Sequence, residues 1–554
     1  MLIILITTVF PLVSAKWHFN TSETSSSANA VALLTWKASL ESESELLLSS
    51  WKNTSTSPCH WDYIRCDNLG RVTDMNISYY RIKGTLHHLD FSSFSYLLKI
   101  DFFDNSLYGT LPANIFNLSR LSYLDLGSND FSGTVPPEIG NLSSLSILYL
   151  DDNKFSGHIP QEIGTLNSLK GLVLSQNTFI GSIPTSFGNL TNLESLYLHT
   201  NSISGSIPKE IGMLSSLKLL DLSGNTFIGS IPTSFGNLTN LESLSLHNNS
   251  FSGSIPQEIS SLTRLMEVEL AENSLMGEIP TSIGDSGNLH LLTLNYNRLS
   301  GPIPSSIGNS TKLKRLYLYE NGLYGPIPPS FGNLKSLVDM RLFSNKLTGS
   351  LPVELENITN WEMFHLADNN FTGHLPHNVC LGGFLIEISV QNNRFIGGIP
   401  RSLKNCPKLS RVRLNNNKLS GKISEVFGVY SYLDYIDLSH NELSGELSSK
   451  WGLCGKTTCL KMSNNNLSGS IPFEIGNASH IQVLDLSSNH FSGKVPRSLD
   501  SLKLLFELDL SGNKLSGDIP SEIGMLSTLA KLNLAANHLS GVIPQQIGNL
   551  CAVV

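Results

Sequence analysis

The sequence predicts an α/β repeat solenoid of about 20 units of 24 residues, each unit adding one strand to a parallel β-sheet on a concave face. Three observations carry the prediction. An asparagine recurs every 24 residues from Asn105 to Asn537, 19 times in one register without an insertion. A chain that never slips over that length is built of units that touch only their two neighbours. A Leu-x-Leu segment of period two precedes each asparagine, the pattern of a short strand with its leucines turned inward. A Leu, Phe or Ile, then a Gly, then an Ile-Pro pair follow at fixed offsets.

The ends and the composition come next. At 554 residues an ordinary chain would form three or four domains, and the unbroken repeat overrides that expectation. The net charge of −8 is modest for this length and argues against a nucleic-acid partner. Residues 1–15, MLIILITTVFPLVSA, read as a secretory signal peptide, although its start carries no Lys or Arg. The alternative is a buried hydrophobic strand. Sequons support secretion: Asn20, Asn53, Asn76, Asn117, Asn141, Asn189, Asn237, Asn248, Asn309, Asn357, Asn370, Asn466 and Asn477 each begin Asn-x-Ser/Thr. An Asn- and Ser-rich repeat also makes sequons by chance. No later apolar run is long enough for a membrane helix. The last repeat breaks off at Cys551 without a cap, as in a truncated piece or a secreted form.

Residues 16–26 are polar and read as irregular. ANAVALLTWKASL has apolar residues at helical spacing, and a second helical run is expected from Ser44 to Trp51. Cys59 and Cys66 are the only cysteines among the first 379 residues and are expected to pair, closing an N-terminal cap within residues 16–70. The repeats fill 71–554. The first has Tyr80 where later ones have Asn, and stands 25 residues from the next. In each unit the Asn amide is expected to satisfy backbone groups at the bend, within its own coil and then in the next. Gly133 and its equivalents permit a backbone shape that a Cβ would strain. Ile-Pro leaves an extended return segment, and the closing I-G-N-L segment is too short for a full α-helix. Cys380 and Cys406 are 26 residues apart, one coil plus two. Coils ~4.8 Å apart put them within reach of a disulfide. Cys454 and Cys459 are close enough in sequence to pair locally, and no further ligands stand near them to make a metal site.

The array resembles the leucine-rich repeat ectodomains of plant receptor-like kinases and receptor-like proteins. The residues that carry the resemblance are the LSGxIPxxIGNL segment, as in 539–550, and the cap elements Leu34-Trp36-Lys37 and Cys59-His60-Trp61 with Cys66. Tyr63-Ile64 stands where that family usually has Gly-Val, a mild departure. Within the family the chain is similar to the peptide-receptor branch that includes the MDIS1-interacting receptor-like kinases. The resemblance implies a plant-type leucine-rich repeat superhelix with a helical, disulfide-closed N-terminal cap. It also implies that a C-terminal cap, a transmembrane helix and a Ser/Thr kinase domain are absent from this chain.

Binding is expected on the strand positions six, four, two and one residues before each ladder Asn, which share a face. Tyr123, Asp125, Tyr149, Asp151, Tyr197 and His199 form one region. Tyr296, Arg315, Tyr317, Tyr319, Arg341, Phe343 and His365 form another. Aromatics beside Arg are enriched at binding hot spots; the alternative is a hydrated surface with scattered tyrosines. Arg411 and Arg413 form the sharpest pair, roughly 7 Å apart on one strand face. With no acid between them, two guanidiniums repel unless an anion joins them, and a carboxylate would take several charge-assisted hydrogen bonds. A solvated pair is the alternative. The family resemblance implies the first reading, since an Arg-x-Arg motif in related peptide receptors holds the free C-terminus of a peptide.

No phosphate loop, kinase catalytic loop or nucleophile motif is present, and the histidines read as scattered and exposed. No cofactor or metal is expected. The sequence therefore reads as a secreted or plasma-membrane recognition domain that binds an extracellular peptide, with a shorter repeat co-receptor kinase as a possible partner. Its membrane contact would come only through a missing C-terminal segment. The alternatives are a secreted inhibitor of microbial wall-degrading enzymes and a soluble ligand decoy.

Overall fold

The computed structural model describes residues 21–53 and 57–550, so the leader, Asn20 and Cys551 lie outside the described residues. Two compact units make up the chain, one ending at Phe179 and one beginning at Ile180.

The first unit opens with a helix over Thr21–Ser39 and a short one over Ser42–Leu47. The first therefore takes in residues from Thr21 that read as irregular. Ser and Thr cost only a few tenths of a kcal/mol each in a helix, and burial of Leu33 and Trp36 downstream outweighs that. The second stops short of Trp51, whose amide instead closes a turn on Leu48 O. Trp36 stacks on Phe102 of the first coils with centroids 5.7 Å apart and donates to Thr85 O at 2.8 Å. Trp51 stacks on Trp61 and donates to Asp62 O. Both indoles thus bury large area while their N–H groups stay satisfied. A disulfide joins Cys59 to Cys66 with Cα atoms 5.5 Å apart. Between this cap and the coils, Ile64–Cys66 pairs antiparallel with Val72–Asn76, a strand the sequence pattern did not show.

From there on the main strands are parallel and each residue faces its equivalent one coil away, as Leu124 faces Leu148. The first unit has five of these parallel main strands and the second fifteen among the described residues. The inward leucines, such as Leu124, Leu148, Leu316 and Leu484, are fully buried. After the ladder Asn each coil forms a second short strand, as Asp130–Thr134 beside Lys154–His158. Ser and Gly fill these strands, so no hydrophobic alternation marks them in the sequence. The I-G-N segment is a five-residue 3₁₀ helix, as Pro137–Asn141, entered through a proline whose fixed φ suits the turn.

The asparagine ladder is explicit. Asn129 Nδ2 donates to Leu126 O, Gly127 O and, in the preceding coil, Phe102 O, while its Oδ1 accepts from Leu107 N. The amide therefore ties each coil to the one before it, not the one after. Gly133 sits at φ +82°, where a side chain would be strained. Gly452 has a different role: a Cβ there would run into the carbonyl oxygen of Glu474 in the next coil.

Cys380 and Cys406 form a disulfide between adjacent coils, Cα atoms 5.9 Å apart. Cys454 and Cys459 do not pair; both are free and buried. Their five-residue separation spans two layers. Cys454 closes the 3₁₀ helix Ser449–Leu453, and Cys459 opens the main strand Cys459–Lys461.

Candidate ligand-binding face

In the second unit the outward residues of the main strands gather into two clusters. The first rises from the coils of Asn297 to Asn369. Tyr319 stacks on Phe343 with centroids 4.3 Å apart, Tyr296 meets Tyr319 edge-on at 5.2 Å, and Phe343 lies 6.4 Å from His365. Beside this ladder Tyr317 Oη donates to Asp339 at 2.7 Å. Arg341 donates to both Asp339 oxygens at 2.9 Å, and its guanidinium lies 4.8 Å from the Tyr317 ring centre. Arg341 is therefore not a cation waiting for a ligand, as its sequence position suggested. Asp339 stands two residues away on the same strand face and already neutralises it. Burial, reinforced by the Asp339 hydrogen bond, pushes the Tyr317 phenol up to about 12. What this cluster offers is an aromatic platform on a rigid, internally neutral base. Arg315 stands exposed at the start of the strand Arg315–Tyr317.

His365 is also unlike its sequence reading. Its side chain is only 12% exposed, and Nε2 lies 3.7 Å from Glu387 Oε1. Burial lowers its pKa, and the Glu387 charge opposes that only in part.

The second cluster is built on Arg411–Arg413, where Val412 is buried between the two arginines and turns both outward. Both guanidiniums lie over one ring, Tyr435 of the next coil, at 5.5 Å and 5.1 Å from its centre. Arg411 also comes within 3.7 Å of Asp434, an exposed pair of the sort worth under ~1 kcal/mol. Arg413 Nε is buried with no hydrogen-bond partner, and so is His365 Nε2 two coils earlier. Ser389 lies between them in register. Buried polar atoms of this kind in a folded protein call for a ligand or water. The ring under the pair was missed in the sequence, although Tyr435 stands one repeat length after Arg411. Asp339, Glu387 and Asp434 are not among the sequence candidates: residue type marks the arginines and aromatics, while the acids show their part only once folding sets them against Arg341, His365 and Arg411.

Tyr197 and His199 meet edge-on at 6.4 Å, but they lie five coils, ~24 Å, from Tyr317 and join neither cluster. In the first unit Tyr123 donates to Asp125 at 3.1 Å. Burial pushes the Asp125 carboxyl up to about 6, and the Asp101 and Asp151 charges add to it. All the sequon asparagines from Asn53 to Asn477 are exposed. Among the described residues no helix is long and apolar enough to cross a membrane.

The leucine-rich repeat N-terminal domain model matches residues 27–67, the leucine-rich repeat region model 78–206, and the single-repeat model eight segments between 216 and 550. The Arabidopsis receptor kinase HAESA, solved with the peptide hormone IDA and the co-receptor SERK1, is 37% identical to the chain with a TM-score of 0.85, over 95% of this chain and 88% of that one. The chain belongs to the family of plant leucine-rich repeat receptor-kinase ectodomains. The plant peptide hormone receptor RGFR1, solved with RGF2, is a further leucine-rich repeat neighbour, with 32% identity, 89% of each chain covered and a TM-score of 0.76. Among whole-length relatives, the leucine-rich repeat receptor-like serine/threonine-protein kinase RGI4 of Arabidopsis thaliana is 34% identical over 94 residues. That match spans 17% of this chain and only 8% of the kinase.

Proposed function

We propose that the chain is the extracellular recognition part of a cell-surface receptor, and that it binds a peptide along the main-sheet face with the C-terminal carboxylate held by Arg411 and Arg413. The observation that carries the reading is the pair itself: two arginines on one ring, one with a buried unpartnered Nε. The HAESA and RGFR1 structures hold peptide hormones, which supports a peptide rather than another ligand class. The aromatic platform of Tyr319 and Phe343 lies three to four coils earlier, ~14–19 Å away, and an extended peptide covers that distance in about four to six residues. An apolar side chain at that distance from the C-terminus is the one that would meet the platform. In the intact protein the partners would be a repeat co-receptor kinase outside the membrane and a membrane span and Ser/Thr kinase domain on the same polypeptide. A cleaved leader and N-glycans on the exposed sequons complete the proposal.

The test uses random octapeptides made both as free acids and as carboxamides. Each of two charge-assisted contacts is worth about 1.5–3 kcal/mol, so Arg411→Ala with Arg413→Ala should weaken free-acid binders by roughly 100-fold or more. Carboxamide binders should bind both proteins alike. Equal binding of the free acids by both proteins would refute the assignment.

A further inference from the structure

The side of the coils opposite the main sheet carries a pattern that the concave-face reading does not use. Seven sequon asparagines, among them Asn309, Asn357 and Asn477, stand twelve residues after a ladder Asn, on the 3₁₀-helix layer. Between Asn357 and Asn477 the four coils at this position instead carry Leu381, Asn405, Val429 and Leu453. Leu381 is 62% exposed and Leu453 65%. Three residues further on, where many other coils have Ser or Asn, the same four coils carry Phe384, Lys408, Tyr432 and Lys456. Lys408 lies over the Phe384 ring at 5.0 Å and Lys456 over the Tyr432 ring at 4.8 Å. The outcome is an exposed column that is apolar except for Asn405, beside an alternating aromatic and cationic column, in a four-coil stretch where this position carries no sequon.

The charge of this patch is opposite to that of the chain. Residues 378–385, 401–409, 423–433 and 447–457 carry Arg401, Lys404, Lys408, Lys450 and Lys456 against one carboxylate, Glu425, in a chain of net charge −8. Arg401 is matched to Glu425 at 3.0 Å; Lys408 and Lys456 rest on rings instead of carboxylates. The Cys380–Cys406 disulfide staples two of the four coils. An apolar centre with an unneutralised basic rim on a stiffened surface has the anatomy of a protein interface, where aromatics are enriched and the rim is charged. Leu381, Val429 and Leu453 offer a sugar polymer nothing to bind, so the columns favour a polypeptide. We infer that the helix-layer surface of the coils from Asn369 to Asn441 is a docking site for an acidic protein partner, one that presents apolar side chains ringed by Asp and Glu. The site is separate from the peptide-binding face and does not depend on that reading.

The experiment pans a library of random displayed peptides on the full chain, on Arg411→Ala/Arg413→Ala, and on two patch variants, Val429→Glu/Leu453→Glu and Lys408→Glu/Lys456→Glu. Melting curves check that each folds, and the lysine variant serves alone if the apolar one does not. The expected result is a class of acidic, Leu-, Ile- or Phe-containing peptides that bind the wild type and the arginine variant equally. They should lose at least tenfold on the patch variants and weaken as salt is raised. Identical pools from wild type and patch variants, or patch-dependent peptides that are neutral or basic, would overturn the inference. So would patch-dependent binding of polygalacturonate in the absence of such peptides, since the partner would then be an anionic polysaccharide.

Discussion

Replacing Asn489 by Ala removes four hydrogen bonds but orphans only one group. Asn489 Nδ2 donates to Met462 O at 2.9 Å, Leu486 O at 3.3 Å and Ser487 O at 3.0 Å. Each of these carbonyls keeps another donor: Asn465 Nδ2, Asn513 Nδ2 and Asn464 N respectively. The fourth bond is different. Asn489 Oδ1 accepts from Leu467 N at 3.0 Å, and that amide loses its acceptor inside the stack. An orphaned buried N–H costs about 1–3 kcal/mol, and three shared bonds add about 0.5 kcal/mol each at the low end of their net worth. The expected cost is about 3 kcal/mol, or roughly 100-fold in the local opening equilibrium. Global melting suits a long repeat array poorly, because its cooperativity breaks down. Native-state hydrogen exchange read by mass spectrometry is the better assay. Peptides covering Leu467 and Phe491 should lose about two orders of magnitude of protection. Peptides from the coil of Asn201 should not change, since each coil touches only its neighbours. A loss below about fivefold at Leu467, or an equal loss in distant coils, would refute this account of the ladder.

Two further substitutions test the burial of charge and the packing between coils. The folded pKa of Asp125, about 6, lies above its ordinary 3.8, so its contribution to stability is most favourable below the unfolded value and is lost as pH rises through 6. At 1.36 kcal/mol per pH unit, Asp125→Asn should raise stability by up to about 3 kcal/mol at pH 7.5, with most of the gain gone near pH 4. The ratio of hydrogen-exchange protection between variant and wild type in peptides covering Asp125, taken at each pH, checks this, and an equal effect at both would contradict it. Gly452→Ala drives a Cβ into the Glu474 carbonyl, whereas Gly455→Ala meets nothing within 4 Å. The first should cost about 2 kcal/mol or more and the second under about 0.5 kcal/mol, read as the loss of hydrogen-exchange protection in peptides covering the coils of Gly452 and Glu474.

The coil was legible in the sequence because its determinants are local and repeated. Asn, Leu and Gly each do the same job in every unit, so periodicity alone reveals them. The second strand was not legible, since its bonds run between coils through Ser and Gly residues that carry no hydrophobic pattern. The candidate site was legible by residue type and only partly by state. Arg411 and Arg413 stand out as two cations on one strand, and the structure puts them on one ring. Arg341 looks the same in sequence, yet Asp339 consumes it. His365 looks exposed, yet its neighbours across adjacent coils cover it. Whether an outward residue is available thus depends on the side chains two residues away on its own strand, as Asp339 for Arg341, and on those of the adjacent coils, as Glu387 for His365 and Tyr435 for Arg411. The free Cys454 and Cys459 make the same point in reverse, being neighbours in sequence but members of different layers.

A solenoid also limits where function can concentrate. The inward positions are spent on the core, and the ladder is spent on holding the bend, so recognition must come from departures at outward positions. In this chain the departures on both sides fall on overlapping coils. Arg411, Arg413 and Tyr435 depart on the sheet side, and Phe384, Lys408, Tyr432 and Lys456 on the helix-layer side. The inter-coil disulfide Cys380–Cys406 lies in the same stretch. The buried core of these coils, with Leu409, Leu414 and Leu433, separates the two surfaces. A ligand that stiffens these coils from the sheet side lowers the ordering cost of a partner on the other side, and linkage makes the effect reciprocal. The two surfaces are therefore better placed to cooperate than any pair drawn from distant coils, where the one-dimensional contact pattern lets coupling decay with each unit crossed.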